Sequence, residues 1–254
     1  MKYKFSKLVE TNLISRFSNI PSNQKKKYLS YSFLLFCMIL FLMGILKQSF
    51  VFPASNQNKS KPVIVLDAGH GGDDPGKVGV NGELEKDLNL SIVLILKELL
   101  EEDYTVILTR DTDTMLSDEG VSNKKTSDLK NRVKLINESS CDIAILIHQN
   151  SFQSESAKGA QVFYHAGSEY GKLLADCLQQ ELIEGSDPSN TRTAKSDQSY
   201  YILKNAIPTV VIVECGFLSN PEEAAKLGLL SYQESLALSI KNGIDQYFEE
   251  KESE

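Results

Sequence analysis

Three ionisable residues follow directly on short apolar runs in this 254-residue chain: His70 after VIVLDAG, His148 after AILI and Glu214 after VVIV. Runs of that length, rich in β-branched residues, read as strands buried on both faces. A fourth ionisable residue, Glu85, opens the stretch EKDLNLSIVLILKELLEE, in which Leu88, Ile92, Ile95, Leu96 and Leu99 recur at helical spacing. Ligands of open α/β sheets bind at the carboxyl ends of the strands, where the chain turns out into loops. His70, His148 and Glu214 are therefore predicted to emerge at one rim, to which the helix starting at Glu85 returns. Two histidines and a carboxylate, with a fourth position left to water, form a donor set of catalytic zinc. A further carboxylate outside that set would take the proton of the water.

Each residue taken singly also has an ordinary reading. A histidine beside a strand is commonly a satisfied polar residue, and a first-turn glutamate such as Glu85 is favoured by the helix dipole alone. Glu214 is harder to dismiss, because a carboxylate directly after VVIV carries a desolvation cost unless it has a partner. Only 3 histidines occur in the chain; the third, His165, follows GAQVFY and reads as a loop residue. The GHGG turn at 69–72 could cradle a phosphate, but it lacks both GxGxxG and a following GK[ST]. Its glycines are better explained by tight turning around His70. The four cysteines, Cys37, Cys141, Cys177 and Cys215, have no CxxC or finger spacing, so they read as small buried hydrophobes rather than thiolate ligands or a disulfide framework.

The elements that must position these side chains alternate. Strand KPVIVLDAGH, helix Glu85 to Glu102 and strand Tyr104 to Thr109 make a βαβ unit. A polar stretch from Arg110 to Thr126 reads as a long loop, a length that is often functional. Then come a helix over Ser127 to Asn137, N-capped by Ser127 or Asp128, and strands near Asp142 to Ile147 and Gln161 to Tyr164. A helix at Gly171 to Ile183, a strand at Pro208 to Val213 and helices at Pro221 to Leu227 and Glu234 to Phe248 complete the order. The pattern predicts an α/β fold: a single twisted, mostly parallel sheet with helices on both faces and the zinc site at the carboxyl edge of the strands.

Charge divides the chain unevenly. Residues 1–47 carry a net charge of +7, so a total of -7 leaves -14 for the rest. A domain that acidic lacks the basic footprint that attracts phosphates, and no nucleic acid partner is expected. Residues 28–46, YLSYSFLLFCMILFLMGIL, are uncharged and long enough to cross about 30 Å of hydrocarbon as a transmembrane helix. Lys25, Lys26 and Lys27 before that run place residues 1–27 in the cytoplasm and the remainder outside. Its length favours an uncleaved signal anchor over a cleaved secretory signal. Residues 47–61 are polar with Pro53 and read as a linker, leaving 62–250 as the catalytic domain.

The segments LDAGHGGDDPGKVG, ELEKDLNL, LIHQNS and VECGFLSNPEE together resemble the zinc-dependent N-acetylmuramoyl-L-alanine amidases of the amidase-3 type. The likeness spans nearly all of Pro62 to Phe248, with four motifs in the family's order. It implies Zn2+ held by His70, Glu85 and His148, with Glu214 as the catalytic acid/base. The family's EKD motif falls on Glu85 rather than Glu83. Ala68, the stretch Leu146 to Asn150 against SIHxN, and Cys215 depart from common family choices but remove no ligand or carboxylate. The likeness is nearest to the germination-specific, CwlD-like amidases of spore-forming bacteria. That subgroup implies a peptidoglycan substrate, cleavage between muramic acid and L-alanine, and a place in muramic-δ-lactam formation in spore cortex. The catalytic domain would then act outside the cytoplasm, in the forespore or cortex space. Amidases of this broad family often rely on activators, which implies an accessory lipoprotein or membrane protein that helps assemble the metal site.

Two other functions compete. A zinc carboxypeptidase would need HxxE, and the first glutamate after His70 lies far beyond that spacing. A wall-binding protein with a retired site would bind no zinc and release no peptide, against which the full donor set argues.

Overall fold

The structure is a computed structural model that describes residues 60–253 together with residues 21, 24, 26, 27, 30, 31, 33–36 and 38. The chain divides into two units, Met1–Lys59 and Ser60–Glu254. No helix among the described residues is long and apolar enough to cross a membrane. The predicted span 28–46, its flanks 1–27 and 47–59, and Cys37 fall largely outside the described residues.

Unit 2 runs β1 (Val63–Ala68), α1 (Glu85–Leu100), β2 (Thr105–Leu108), α2 (Lys124–Glu138), β3 (Ile143–Asn150), β4 (Gln161–His165), α3 (Glu169–Gly185), β5 (Lys195–Asp197), α4 (Tyr201–Asn205), β6 (Thr209–Phe217), α5 (Pro221–Leu227) and α6 (Leu230–Ser253). The six strands form one sheet in the order β2-β1-β3-β6-β4-β5. β2, β1, β3 and β6 are mutually parallel, as predicted, while β4 lies antiparallel to β6 and carries β5 beyond it.

Side chains alternate between the two sheet faces, and the core divides accordingly. Ile64, Leu66, Ile143, Ile145, Val211 and Val213 pack with residues of α1, α3 and α6. Val65, Ala144, Leu146, Val210 and Ile212 pack instead with Val133 and Ile136 of α2 and with Ile202 and Leu203 of α4. Period two therefore turns Asp67, His148 and Glu214 toward the thinner α2/α4 cover. Cys141, Cys177 and Cys215 are buried free thiols.

Several predicted boundaries move. β3 and β6 continue past His148 and Glu214 to Asn150 and Phe217, so these two residues lie within strands, not at their ends. Pairing continues because ladder hydrogen bonds use the backbone, whatever the side chains are. α2 starts three residues earlier than predicted, where the Asn123 side chain accepts from the Thr126 N–H. The Asp128 carboxylate, in place of capping the helix, takes the Leu116 N–H at 2.7 Å and the Arg132 Nε at 2.7 Å.

Arg132 is the largest fully buried polar side chain beneath the rim. Its guanidinium meets the Asp67 carboxylate at 2.5 Å and donates to the carbonyls of Ala68 (2.9 Å) and His70 (2.7 Å). Burial alone would raise the Asp67 carboxyl, but the Arg132 charge and hydrogen bond, together with Thr109 and the charge of His148, outweigh it and hold it below the usual carboxylate range. Replacing Arg132 with methionine strands that carboxylate without a partner. Denaturant unfolding of Arg132→Met is expected to show a loss of about 3–5 kcal/mol; a change under about 1 kcal/mol would mean that Asp67 is satisfied some other way.

Candidate metal centre

Past the end of β1 the backbone turns sharply, and His70 itself adopts a left-handed conformation at φ 63°. A non-glycine residue there is uncommon and persists only where its surroundings enforce it. Two arginines do so. Arg110 donates to the carbonyls of Ala68 (2.8 Å) and Gly69 (3.1 Å), while Arg132 holds that of His70. Asn89 of α1 adds a bond to the Gly69 carbonyl at 3.0 Å and accepts from the Gln149 side chain at 3.1 Å. The turn after β1, the first helix and the rim of β3 are thereby locked together.

His70, Glu85 and His148 converge. Glu85 Oε1 stands 3.2 Å from His70 Nε2 and 3.1 Å from His148 Nδ1, and it also accepts the Gln149 N–H at 3.1 Å. Glu85 Oε2 accepts the Lys77 N–H at 2.7 Å. The two rings meet edge-on with centroids 5.1 Å apart, and the three donor atoms lie within 4.8 Å of one another. Burial would raise the Glu85 carboxyl, but hydrogen bonds and charge from His148 and His70 prevail and hold it far below the usual range.

The other nitrogen of His70, Nδ1, lies 2.9 Å from Asp74 Oδ2. With its proton on that nitrogen, a neutral His70 ring turns a lone pair at Nε2 toward the Glu85 oxygen, so two acceptors face each other. A proton on Nε2 or a metal ion between the two atoms removes the conflict, and the carboxylate–histidine contact is the usual second partner of a metal-binding imidazole. The donor set thus fits a metal ion, although it does not by itself name the element.

Two glycines leave room for this convergence. A Cβ at Gly69 would collide with His148 Cε1, and one at Gly76 would lie 2.6 Å from Glu85 Oε2 and 2.7 Å from His70 Cδ2. Gly69→Ala should displace the His148 ring and weaken metal binding by about tenfold or more. Zinc titration against a chelating dye reads the change; unaltered affinity would show that His148 is not held against this turn.

Glu214 is the register partner of His148 on the neighbouring strand. It is 7% exposed. Its Oε1 accepts the Tyr200 hydroxyl at 3.2 Å, and its buried Oε2 has no hydrogen-bond partner. Burial pushes its carboxyl above the ordinary value; the His148 charge opposes this and the Glu85 charge adds to it. A carboxyl group shifted in this direction holds a proton more readily than an ordinary carboxylate, as an acid/base must.

A cavity of about 200 Å³ lies beside His70 and His148, walled by Lys125, Leu129, Arg132 and Ile202 among others. It opens on the α2/α4 face, to which His148 and Glu214 also point. The four residues singled out from sequence are therefore brought to one place. Glu83 and His165 do not join the cluster. Sequence reading does not find Asp74, Arg132 or Tyr200. Asp74 has a usable signal in its four-residue spacing from His70, whereas Tyr200 lies in a segment without periodicity.

Residues 64–246 match the family model described as N-acetylmuramoyl-L-alanine amidase. The germination-specific N-acetylmuramoyl-L-alanine amidase of Bacillus subtilis is 40% identical over 240 residues, covering 89% of this chain and 98% of that protein. Among solved structures, the CwlD amidase from Clostridioides difficile, in complex with the GerS lipoprotein, matches with a TM-score of 0.72 and 40% identity over 74% of this chain and 98% of that one. An N-acetylmuramoyl-L-alanine amidase from Clostridium difficile 630 follows at a TM-score of 0.66 and 29% identity, covering 74% of this chain and 97% of that one. A family-model match over residues 64–246, together with a relative 40% identical along nearly its whole length, makes this protein a member of the N-acetylmuramoyl-L-alanine amidase family of peptidoglycan hydrolases.

Proposed function

We propose that this amidase uses zinc, held by His70, Glu85 and His148, to cleave the amide between muramic acid and L-alanine, with Glu214 as acid/base. The observation that carries the reading is the pairing of a three-donor cluster with a buried, unpartnered carboxylate oxygen on the adjacent strand. Zinc in that cluster would supply Lewis acidity toward the amide carbonyl and lower the pKa of a water molecule toward about 7. Glu214 takes the proton of that water at Oε2 and delivers it to the departing L-alanine nitrogen. Asp74 keeps the His70 ring oriented throughout.

The setting is part of the same proposal. The basic segment 1–27 and the apolar run 28–46 anchor the chain, with the catalytic unit on the extracytoplasmic side. The likeness to germination-specific amidases supports work in spore cortex, where removing the stem peptide prepares muramic acid for δ-lactam formation. The lipoprotein bound to the related C. difficile amidase supports an accessory lipoprotein for this one.

The test is mass analysis of purified peptidoglycan treated with the Ser60–Glu254 unit plus zinc, with and without a candidate lipoprotein. Free stem peptides starting at L-alanine, alongside intact glycan strands, are expected. Shortened glycans or cleaved cross-links in place of those peptides would refute the assignment.

A further inference from the structure

The carboxylate of Glu214 has two unequal oxygens. Oε2 is buried without a partner, whereas Oε1 accepts from a single phenol, Tyr200. That phenol is itself firmly placed. Its ring packs against Phe163 of β4 with centroids 5.6 Å apart. Its backbone N–H donates to Asp197 Oδ1 at 3.2 Å, and the same oxygen also takes the Ser199 N–H and hydroxyl. Tyr200 stands at the N-cap position of α4, without a side-chain capping bond, and Ile202 of that helix enters both the core and the cavity wall. Burial, followed by the charge of Glu214, pushes the phenol well above its ordinary pKa, so it remains a donor at any pH the protein meets.

From this geometry we infer that Tyr200 is a positioning residue for the acid/base: its hydroxyl pins Oε1 of Glu214 and leaves Oε2 as the oxygen that carries the proton. The inference rests on Glu214 acting as acid/base, as proposed above. The bond survives both protonation states, because a phenol O–H can donate to Oε1 of the carboxylate and equally to the carbonyl oxygen of an acid protonated at Oε2. Without it the carboxyl group turns more freely about its terminal torsion, which is broad and roughly two-fold. Time spent with neither oxygen aligned is lost to proton transfer. Neither substrate contact nor metal ligation is asked of Tyr200, so its effect belongs in kcat.

The experiment compares wild type, Tyr200→Phe and Glu214→Gln in full-length protein, measuring stem-peptide release, KM, bound zinc and thermal midpoint. Phenylalanine preserves the ring contact with Phe163. The expected result is a kcat lower by roughly 10- to 100-fold, the usual cost of a misplaced catalytic group, with KM and zinc content unchanged. Full activity in Tyr200→Phe beside an inactive Glu214→Gln overturns the positioning role alone. Parallel loss of zinc and activity also overturns it, because Tyr200 would then be serving the metal site. An active Glu214→Gln instead refutes the acid/base reading on which the inference stands. Should Tyr200→Phe prove unstable, Asp197→Ala loosens the same phenol through its backbone; it is expected to lower kcat without moving KM, and an unchanged kcat overturns the inference.

Discussion

Glu214→Gln is expected to retain zinc and fold, and to release stem peptide about 10²- to 10⁴-fold more slowly than wild type. Glutamine is nearly isosteric and its side-chain oxygen can still accept the Tyr200 hydroxyl, so the β6 rim should not move. Only the ability to take and return a proton is removed. The amide should also cost no stability at neutral pH in the metal-free protein. The Glu214 carboxyl is raised by burial, so the unfolded chain ionises at lower pH than the folded one. Folding is accordingly disfavoured as pH rises through the unfolded value, and an uncharged substitute escapes that penalty. Activity, zinc content and thermal midpoint measured on one preparation check all three statements. A variant within about tenfold of wild-type activity would leave the acid/base unidentified.

His70→Asn should lose zinc and activity together. Asparagine is chosen over alanine because His70 has φ 63°, a left-handed conformation that asparagine tolerates better than most residues. The backbone turn and the Arg132 bond to the residue-70 carbonyl are then preserved, and the imidazole is the only thing withdrawn. Losing the Lewis acid forfeits several kcal/mol of transition-state stabilisation, which is roughly a thousandfold or more in rate at about 1.4 kcal/mol per factor of ten. The contrast with Glu214→Gln is the informative part: one variant should be inactive and loaded, the other inactive and empty. Elemental analysis of the two side by side separates them. A His70→Asn protein that binds zinc as tightly as wild type would remove His70 from the ligand set.

The contrast between the two variants depends on which parts of the site are local. His70 and His148 each follow a run whose β-branched composition marks a strand, and the helical period after Glu85 is equally plain. Local signals of that kind reflect each residue's immediate neighbours in the chain, and they are enough to place four side chains at one rim. Boundaries are less legible. β3 and β6 run on through His148 and Glu214 because pairing across the sheet supplies hydrogen bonds that composition does not reveal. The antiparallel direction of β4 is likewise set by its pairing with β6, and the short elements β5 and α4 escape sequence reading because segments of three to five residues do not complete enough periods to be read.

What the sequence determined by itself was the alternation of strands and helices, the four residues proposed to carry the chemistry and, through the likeness of four ordered motifs, the reaction family. Tertiary structure alone decided how those residues are held. The Arg132 bond to Asp67 spans 65 positions, and the Glu85 contact with His148 spans 63. Neither separation leaves a periodic trace, because such pairs are set by strand order and by which face each side chain takes. The same is true of Tyr200: only the folding of α4 over one face of the sheet brings its hydroxyl to Glu214 and leaves a single carboxylate oxygen free to carry a proton.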